Sequence, residues 1–383
     1  MSWGRRDVRD QRVEFVIRAK RGEPLSSLCR EFEISRPTGY VWLGRFEAEG
    51  VAGVTERSRR PHVSPRQTSG EIETRILAMR WERPDWGARK LAELLKAEGI
   101  QLPVITVHRV LRRYGLVWNH EQRRQATKRF QREAPNQLWQ MDFKGQKGSA
   151  KEANTGPLSV LDDHSRYLVA LEQIGSTGYE PVRERLETVF RSHGVPEEML
   201  MDHGNPWFNT KDPGGWSRLQ VWLMRQGIGC CWSGVRHPQT QGKVERFHGA
   251  LERARCRVDG DLWLSQKWLD NFRKEYNEIR PHEALGMRTP ASVWKPSQRS
   301  YNPDPSPWDY GPDAVLKTVN QHGDIWIERR PWAISRALAK ETVQIQQIDQ
   351  RILVYFCKSL VREIDLCAQR STAVDRWAQR SNV

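Results

Sequence analysis

Apolar residues in the first third of the chain recur at the spacing of an α-helix, in two groups of three short segments. In the first group, Ser35 is a favoured N-cap residue and Pro37 fits the first turn of a helix, so together they predict where the third segment begins. Two short helices joined by a tight turn are typical of a helix-turn-helix unit. We predict such a unit over residues 1–50.

The second group, residues 67–118, repeats this arrangement. In its last segment, Val107, Val110 and Leu111 fall on one face, and Gly115 follows, where glycine commonly ends a helix. The pattern predicts a second helix-turn-helix or winged-helix-like domain. The side chains expected on the outer face of its last helix are His108, Arg109, Arg112 and Arg113.

Near residue 135 the apolar period changes from that of helices to that of strands. Three strands are followed by a helix, a strand, a helix, a short strand and a long helix. The predicted segments span 138–143, 158–161, 167–171, 179–193, 198–202, 215–227, 229–232 and 240–257. This order predicts a mixed five-stranded α/β sheet with helices on both faces.

A proline-rich stretch leads to five further short strand-like segments, which are typical of a small β-barrel. The predicted fold class is therefore multidomain, with all-α units, a central α/β core and a β-barrel. The predicted division is a helix-turn-helix domain (1–50), a linker (51–66), a second such domain (67–118), a basic linker (119–134), the core (135–296), a Pro-rich linker (297–313), the barrel (314–370) and a tail (371–383).

The charge of the chain is uneven. The 383 residues carry a net charge of +15, and residues 1–134 hold 28 Lys and Arg against 17 Asp and Glu. A basic region of this kind favours nucleic-acid binding, although a merely solvated basic surface gives the same composition. The candidate DNA contacts in the first unit are the exposed N-terminal residues of its third helix, Arg36, Thr38 and Tyr40; in the second unit they are His108, Arg109, Arg112 and Arg113.

The composition also indicates the compartment. No uncharged apolar run is long enough to span a membrane, and the start of the chain lacks the apolar region of a signal peptide. The six cysteines form no CxxC pair and have no histidine pair near them at zinc-finger spacing. We therefore expect a cytoplasmic protein with free thiols and no structural zinc.

Three carboxylates occupy positions that indicate chemistry. Asp142 lies inside the first predicted strand, Asp202 ends the fourth, and Glu245 lies on the long helix that follows. If the two strands are neighbours, the aspartates approach each other and the helix can bring Glu245 to them. Clustered carboxylates repel one another unless a cation joins them, and hard oxygen ligands suit Mg²⁺ or Mn²⁺. Two such ions can activate an attacking hydroxyl and stabilise the leaving oxygen of a phosphodiester.

Other polar residues have competing interpretations. Asp162 and Asp163 are metal-ligand candidates, but a hairpin turn is the simpler explanation, and Glu252 is an alternative third ligand. Asp212 lies in a Gly/Pro-containing insertion and is expected to be exposed. On the long helix, the predicted DNA contacts are Gln241, Lys243 and Arg246, with a solvated helix face as the alternative.

Five stretches of the chain resemble the insertion-sequence transposases that carry an integrase-type DDE catalytic core, in the retroviral-integrase superfamily. They are LWQMDFKG (138–145), LSVLDDHSRYLVA (158–170), MDHGNPW (201–207), HPQTQGKVERFHGALER (237–253) and YNEIRPHEALGMRTPASVW (276–294). His203 and the insertion at 209–215 depart from the family pattern.

The resemblance implies an RNase H-like core in which Asp142, Asp202 and Glu245 hold two Mg²⁺ ions, for which Mn²⁺ can substitute. It implies that the helical units bind terminal inverted repeats of double-stranded DNA, and that a homo-oligomer on DNA cleaves the element ends and joins the freed 3′-OH to target DNA. The expected location is the prokaryotic cytoplasm, at the nucleoid when DNA is bound.

Two other functions stay open at this point. A domesticated or inactive copy would act as a DNA-binding repressor, and a metal-dependent nuclease would cut without joining. No membrane partner is expected. No nucleotide cofactor is expected either, because Gly242-Lys243 is followed by Val244 and lacks the upstream glycine of a Walker-type phosphate loop.

Overall fold

The computed structural model describes residues 7–57, 67–117, 131–145, 156–232, 242–258, 260 and 265–374. The chain divides into two compact units, residues 1–69 and residues 70–383. Within the described ranges no helix is both long and apolar enough to cross a membrane. The described cysteines form no disulfide bond.

The first unit is a small helical domain. It contains α1 (Val8–Lys20), α2 (Leu25–Glu31) and α3 (Arg36–Glu49). The predicted cap of α3 is confirmed, because Ser35 Oγ accepts a hydrogen bond from the backbone N–H of Thr38 at 3.3 Å. A 3₁₀-helix at Gly50–Val54 follows, and its Val54 is buried in the domain core. The folded domain therefore continues into the start of the segment that the sequence assigned to a linker.

The second unit begins with another set of three helices, α4 (Gly70–Glu82), α5 (Ala88–Ala97) and α6 (Val104–Arg113). The predicted inner face of α6 is confirmed, since Val107, Val110 and Leu111 are buried against α4 and α5. Gly115 follows α6 with a φ of +69°, the left-handed conformation in which glycine ends a helix at no steric cost.

The core of the second unit is a five-stranded mixed sheet, as predicted. Its elements are β1 (Trp139–Phe143), β2 (Leu158–Asp162), β3 (Leu168–Glu172), α7 (Tyr179–His193), β4 (Glu198–Met201), α8 (Arg218–Arg225), β5 (Gly229–Trp232), α9 (Gly242–Arg255) and α10 (Gln266–Lys274). The strand order is β3-β2-β1-β4-β5. Strands β1 to β3 pair antiparallel, while β4 and β5 run parallel to β1.

Helices cover both faces of this sheet, and strand alternation decides which residue meets which helix. Met141 of β1 packs in the same cluster as Leu186 of α7. On the opposite face, Leu161 of β2 packs with Phe247 of α9. Successive side chains of a strand point to opposite faces, so Asp142, which follows Met141, points to the face that α9 covers.

The C-terminal region forms an open sheet and not the predicted closed barrel. Its strands are β6 (Val315–Thr318), β7 (Asp324–Ile327), β8 (Arg330–Ala333), β9 (Thr342–Ile348), β10 (Arg351–Phe356), β11 (Ser359–Asp365) and β12 (Arg370–Ala373). The sheet order is β12-β11-β10-β9-β6, with β7 and β8 as a separate hairpin. Ile352 and Val354 of β10 share one hydrophobic cluster with Trp216 and Leu219 of the core. The sheet thus buries its apolar face against the core, so closure is not needed to remove that face from water.

The insertion before α8 attaches this sheet to the core, and the expectation that Asp212 is exposed was wrong. The Asp212 carboxylate is buried and accepts hydrogen bonds from the backbone N–H of Trp216 and, across the junction, from Ser335 Oγ and the N–H of Arg336. Arg362 of β11 donates to the Pro213 carbonyl at 2.7 Å. Three of these four hydrogen bonds cross the junction and thereby join segments that are far apart in sequence.

The proline-rich segment 297–313 follows the surface of the core. Arg299 donates to the backbone carbonyls of Pro196 and Gly227, the second at 2.9 Å. Tyr310 Oη–H donates to the Thr342 carbonyl at 2.8 Å. The segment is therefore held to both the core and the C-terminal sheet along its length.

A buried ion cluster joins the three helices α4 to α6 to the core. Asp85, in the loop between α4 and α5, has a side chain only 4% exposed and forms ion pairs with Arg257 and Arg280. The neighbouring Trp86 is fully buried, and the Arg280 guanidinium lies 5.5 Å from its ring centroid. Because Arg257 lies two residues after the end of α9, this loop fixes the second helical domain to the end of the helix that carries Glu245.

The same junction encloses His282, which leads to a prediction about pH. Burial, together with the positive charges of Lys90 and Arg280, lowers the pKa of His282 to about 3. An unfolded histidine titrates near pH ~6.5. As the pH falls from 6.5 towards 3, the unfolded chain binds a proton that the folded chain excludes, so the free energy of unfolding falls by about 1.4 kcal/mol per pH unit for this one group.

We expect His282→Gln to remove this one-proton dependence. Urea unfolding between pH 6 and pH 4, followed by tryptophan fluorescence, should give a shallower loss of stability than in the wild-type protein. Above pH 7 the two stability curves should run parallel. Equal slopes between pH 6 and pH 4 would contradict the prediction.

Candidate active site

The sheet register brings Asp142 and Asp202 to the same level on neighbouring strands. Strands β1 and β4 pair in parallel, with Gln140 opposite Leu200. Two residues further along each strand stand Asp142 and Asp202. Neighbouring strands lie about 4.8 Å apart, so the prediction that these strands are adjacent is confirmed and the two carboxylates stand side by side at the edge of the sheet.

Helix α9 supplies the third carboxylate. Its buried residues Val244, Phe247 and Leu251 pack on the sheet face towards which Asp142 points. Glu245 lies in the first turn of α9 and is exposed. The buried apolar residues of α9 thus hold the helix against the sheet. Glu245, which lies between them in sequence, stays exposed to solvent.

Electrostatics link the three acids. The pKa of Asp142 is raised to about 7, first by burial, then by the negative charge of Asp202 and, more weakly, by that of Glu245. A hydrogen bond from the backbone N–H of Phe143 to Asp142 Oδ1 at 2.8 Å opposes this rise. The site therefore disfavours the charge on Asp142, which is the condition that a bound cation would relieve.

The loop after β4 fixes the Asp202 carboxylate. Its Oδ1 accepts a hydrogen bond from the backbone N–H of Gly204 at 2.8 Å. A Cβ on Gly204 would lie only 2.9 Å from that oxygen, so glycine is needed for this close approach. The neighbouring His203 does not turn towards the acids as a proton carrier would; its ring packs against Phe208 and Trp232.

A serine and a histidine support Asp142 from the side of α9. Ser159, opposite Asp142 on β2, donates its hydroxyl proton to the Asp142 carbonyl at 2.9 Å and lies 2.8 Å from His248 Nε2. Because that single hydroxyl proton is used, His248 donates from Nε2–H. Burial, and more weakly the charge of Lys144, lowers the pKa of His248 to about 4, so the ring is neutral, with its Nδ1 3.8 Å from Asp142 Oδ2.

Lys243 holds α9 in place. Its ammonium group contacts both the carboxylate and the carbonyl of Asp163, whose side chain is fully buried. Burial lowers the pKa of Lys243 to about 8, against the attraction of Asp163. The sequence analysis predicted that Lys243 contacts DNA. In the structure its ammonium group pairs with Asp163. Lys243 lies two residues before Glu245 on α9.

The paired acids of the β2–β3 turn have a structural role, which favours the hairpin interpretation. Asp162 accepts hydrogen bonds from the backbone N–H groups of Asn136 and Ser165, both at 2.7 Å. Asp163 accepts from the N–H of Arg132 at 2.7 Å and from the Gln140 side chain. Their oxygens are therefore occupied by protein donors and are not directed at the three candidate acids.

The donor chemistry of the site fits a hard divalent cation, although the side-chain positions do not enclose one. Three carboxylates that share one edge of the sheet are the ligands that Mg²⁺ prefers. Across the described ranges, however, no three acidic, histidine or cysteine side chains converge closely enough to form a metal site by themselves. The residues immediately before α9, including Gln241, lie outside the described part of the chain.

The other predicted DNA contacts have mixed positions. In α3, Arg36 and Tyr40 are exposed, whereas Thr38 is half-buried and its Oγ1 lies 2.8 Å from Ser35 Oγ. In α6, Arg109 and Arg112 are exposed and His108 is half-buried. Arg113 forms an ion pair with Glu73. On α9, Arg246 is exposed.

Sequence patterns missed the supporting residues of the site. Ser159 lies in a strand with apolar neighbours and could have been found only by its level opposite Asp142. Lys144 pairs with Glu252 of α9 at 3.4 Å, so the alternative third ligand is engaged by a lysine that follows the first aspartate. No local pattern signals either contact, because each joins residues far apart in the chain.

Family models match both parts of the chain. A model described as an integrase core domain matches residues 132–238, and a second model with the same description matches residues 226–290. A helix-turn-helix domain model matches residues 11–62, and a homeodomain-like domain model matches residues 38–111. Fold and matches together define the class as an integrase-type core preceded by helix-turn-helix units.

The chain is also similar to proteins of insertion elements. The chain is 24% identical over 236 residues to an uncharacterized 31.7 kDa protein of insertion element IS407 from Burkholderia multivorans, covering 57% of this chain and 79% of that protein. It is 24% identical over 290 residues to an uncharacterized 39.2 kDa protein of insertion element IS476 from Xanthomonas euvesicatoria, covering 71% of this chain and 78% of that protein. Among solved structures, the HTLV-2 integrase catalytic core domain in complex with magnesium aligns with 42% of the chain at 14% identity, with a TM-score of 0.32.

The family models and the insertion-element relatives together support an insertion-sequence transposase with an integrase-type core.

Proposed function

We propose that this protein cleaves the ends of its insertion element and joins the freed 3′-OH ends to target DNA, with Asp142, Asp202 and Glu245 as the catalytic carboxylates. The observation that carries the proposal is the parallel register of β1 and β4, which sets Asp142 and Asp202 side by side, with Asp142 on the sheet face that α9 covers. Glu245, exposed in the first turn of α9, leaves this side of the core open to a DNA backbone.

Each acid has a defined role in this proposal. Two Mg²⁺ ions, or Mn²⁺ in their place, would be held by the three carboxylates and would supply Lewis-acid activation of the attacking hydroxyl and of the leaving oxygen. Asp142 would bind from the centre of the sheet, where the Ser159 hydroxyl donates to its backbone carbonyl and is itself held by His248 Nε2–H. Lys243, by holding Asp163, sets the position of the first turn of α9 and therefore of Glu245.

The partners follow from the same proposal. The helical domains would bind terminal inverted repeats of double-stranded DNA, with Arg36, Tyr40, Arg109 and Arg112 as exposed contacts. Arg246, exposed on α9, would contact DNA at the core. A homo-oligomer bridging two ends would work at the nucleoid of a prokaryotic cell. Each copy would carry the domains with the boundaries predicted from the sequence.

A joining assay tests the proposal. Purified protein is incubated with supercoiled plasmid and a duplex oligonucleotide that carries the DNA flanking the gene and a free 3′-OH, in Mg²⁺ or Mn²⁺. We expect covalently joined oligonucleotide–plasmid product that disappears in EDTA. The comparison with a duplex of scrambled flank shows whether the end sequence is required.

The other products of this assay would contradict strand transfer in distinct ways. Nicked plasmid without joined oligonucleotide would indicate a nuclease. Tight, salt-sensitive binding of the flanking duplex without any product would indicate a repressor.

End recognition by α3 is tested with Tyr40→Ala. If this variant still joins an unspecific duplex but no longer prefers the flanking duplex, α3 recognises the element end.

A further inference from the structure

The third helices of the two helical domains share an uncommon surface feature. Helix α3 exposes Tyr40 and Val41 at 65% and 50%. Helix α6 exposes Val104 and Ile105 at 42% and 55%. In each case two large apolar side chains are adjacent in sequence and lie within the first two turns, the part of a helix-turn-helix recognition helix that contacts base edges.

The charged residues around these apolar pairs do not make either helix surface acidic. The acids of α3, Glu47 and Glu49, are ion-paired with Lys20 and Arg57. Helix α6 contains no acidic residue and exposes Arg109 and Arg112. Both faces are therefore apolar and basic together, which complements a polyanion that also presents apolar groups.

A glycine on α3 points to a close approach by this partner. Gly44 lies one turn beyond Tyr40 on the exposed side, and a Cβ added there would meet nothing within 4 Å. Glycine inside a helix is destabilising relative to alanine, and no contact within the domain requires it. The absence of a side chain leaves room above α3 for a surface that comes close to the helix backbone.

We propose that Tyr40–Val41 and Val104–Ile105 contact the 5-methyl groups of thymines in the major groove, so that the element ends carry A·T pairs at these positions. The thymine methyl is the apolar group that base pairs present in the major groove. Arginines on the same helices would bind phosphates or guanines alongside. This inference rests on the proposed function, because it specifies what the DNA-binding domains recognise.

Replacing thymine by deoxyuridine tests the proposal directly, since deoxyuridine pairs with adenine and lacks only the methyl group. A footprint on the DNA flanking the gene first defines the bound duplex. Fluorescence anisotropy then compares the Kd of the full-length protein for that duplex with its Kd for the same duplex carrying deoxyuridine at every thymine of the footprint. We expect the deoxyuridine duplex to bind about tenfold more weakly.

Surface variants assign the effect to the two pairs. Val41→Ser and Ile105→Ser should each reduce the ratio of the two Kd values, because the side chain that senses the methyl is gone. The matched controls are Val315→Ser on β6 and Ile348→Ser on β9, whose side chains are 56% and 58% exposed; both should keep the wild-type ratio. Gly44→Ala should raise the Tm of the first domain and yet weaken binding severalfold.

The outcomes separate this inference from the proposal beneath it. Equal, tight binding of the thymine and deoxyuridine duplexes overturns methyl recognition and leaves DNA binding intact. An unchanged ratio in both Val41→Ser and Ile105→Ser overturns the assignment to these pairs. Failure to bind the flanking duplex at all overturns the proposed function, and methyl recognition with it.

Discussion

Asp142→Asn should abolish joined product in the plasmid assay, with the rate lowered by at least about a thousandfold. A loss of about 4 kcal/mol of transition-state stabilisation corresponds to that factor. The amide keeps the shape and the hydrogen bond from Phe143, but it removes the negative charge that a divalent cation requires. Binding of the flanking duplex, measured by anisotropy, should stay at the wild-type level because Asp142 belongs to β1 and not to the helices proposed to bind the element ends.

Stability provides an independent check on the same variant. The pKa of Asp142 is raised to about 7 in the folded protein, whereas an unfolded aspartate titrates near pH ~3.9. The folded state therefore loses stability as the pH rises from about 4 to about 7, since the charge is easier to carry when unfolded. In EDTA, Asp142→Asn should consequently melt at a higher temperature than the wild-type protein at pH 8, and at a similar temperature at pH 4.

Asp349→Asn is the matched control for this pair of measurements. Asp349 lies in the exposed β9–β10 turn with a φ of +52°, a conformation that asparagine tolerates. Joining activity and its metal dependence should be unchanged. A thousandfold loss in the control, or full activity in Asp142→Asn, would show that the sheet edge is not the catalytic site.

The second large effect is expected at the junction between the second helical domain and the core. Asp85→Ala should lower the free energy of unfolding by about 3–5 kcal/mol, because it leaves Arg257 and Arg280 without their buried counter-charge. Urea denaturation followed by tryptophan fluorescence measures this loss, and Trp86 lies beside the altered group. The variant should also join DNA poorly, since the end of α9 loses its fixed neighbour.

An exposed ion pair across the same junction serves as the control. Arg89 and Glu283 approach to 3.3 Å, but their side chains are 68% and 58% exposed. Glu283→Gln should therefore change stability by less than about 1 kcal/mol. If Asp85→Ala and Glu283→Gln cost the same, the buried cluster has no special role in holding the second helical domain to the core.

Sequence was sufficient for features that depend on neighbours along the chain. Ser35 capping α3, Gly115 ending α6 and the inner face of α6 each follow from residues within one or two turns. The order of strands and helices in the core followed from apolar periodicity. The positions of Asp142 inside one predicted strand and of Asp202 at the end of another were also visible, since a carboxylate interrupts an apolar pattern.

Contacts between distant segments were decided by the tertiary structure. Lys243 sits in a polar stretch that suggests a DNA contact, yet it pairs with Asp163, eighty residues earlier. Asp212 belongs to a loop that appears exposed, yet it binds Ser335 and Arg336. Five of the seven C-terminal strands were predicted, without β8 and β12. Their failure to close into a barrel depends on the core that covers their apolar face.

The sequence by itself determined the helical domains, the mixed core sheet and the three acids that belong to the proposed chemistry. Only the tertiary structure decided which charges remain available to DNA, which are consumed in holding α9, and how the terminal sheet is covered. The physical reason is the range of the interactions. Propensity, capping and periodicity act over a few residues, whereas burial and charge pairing depend on which distant segments meet.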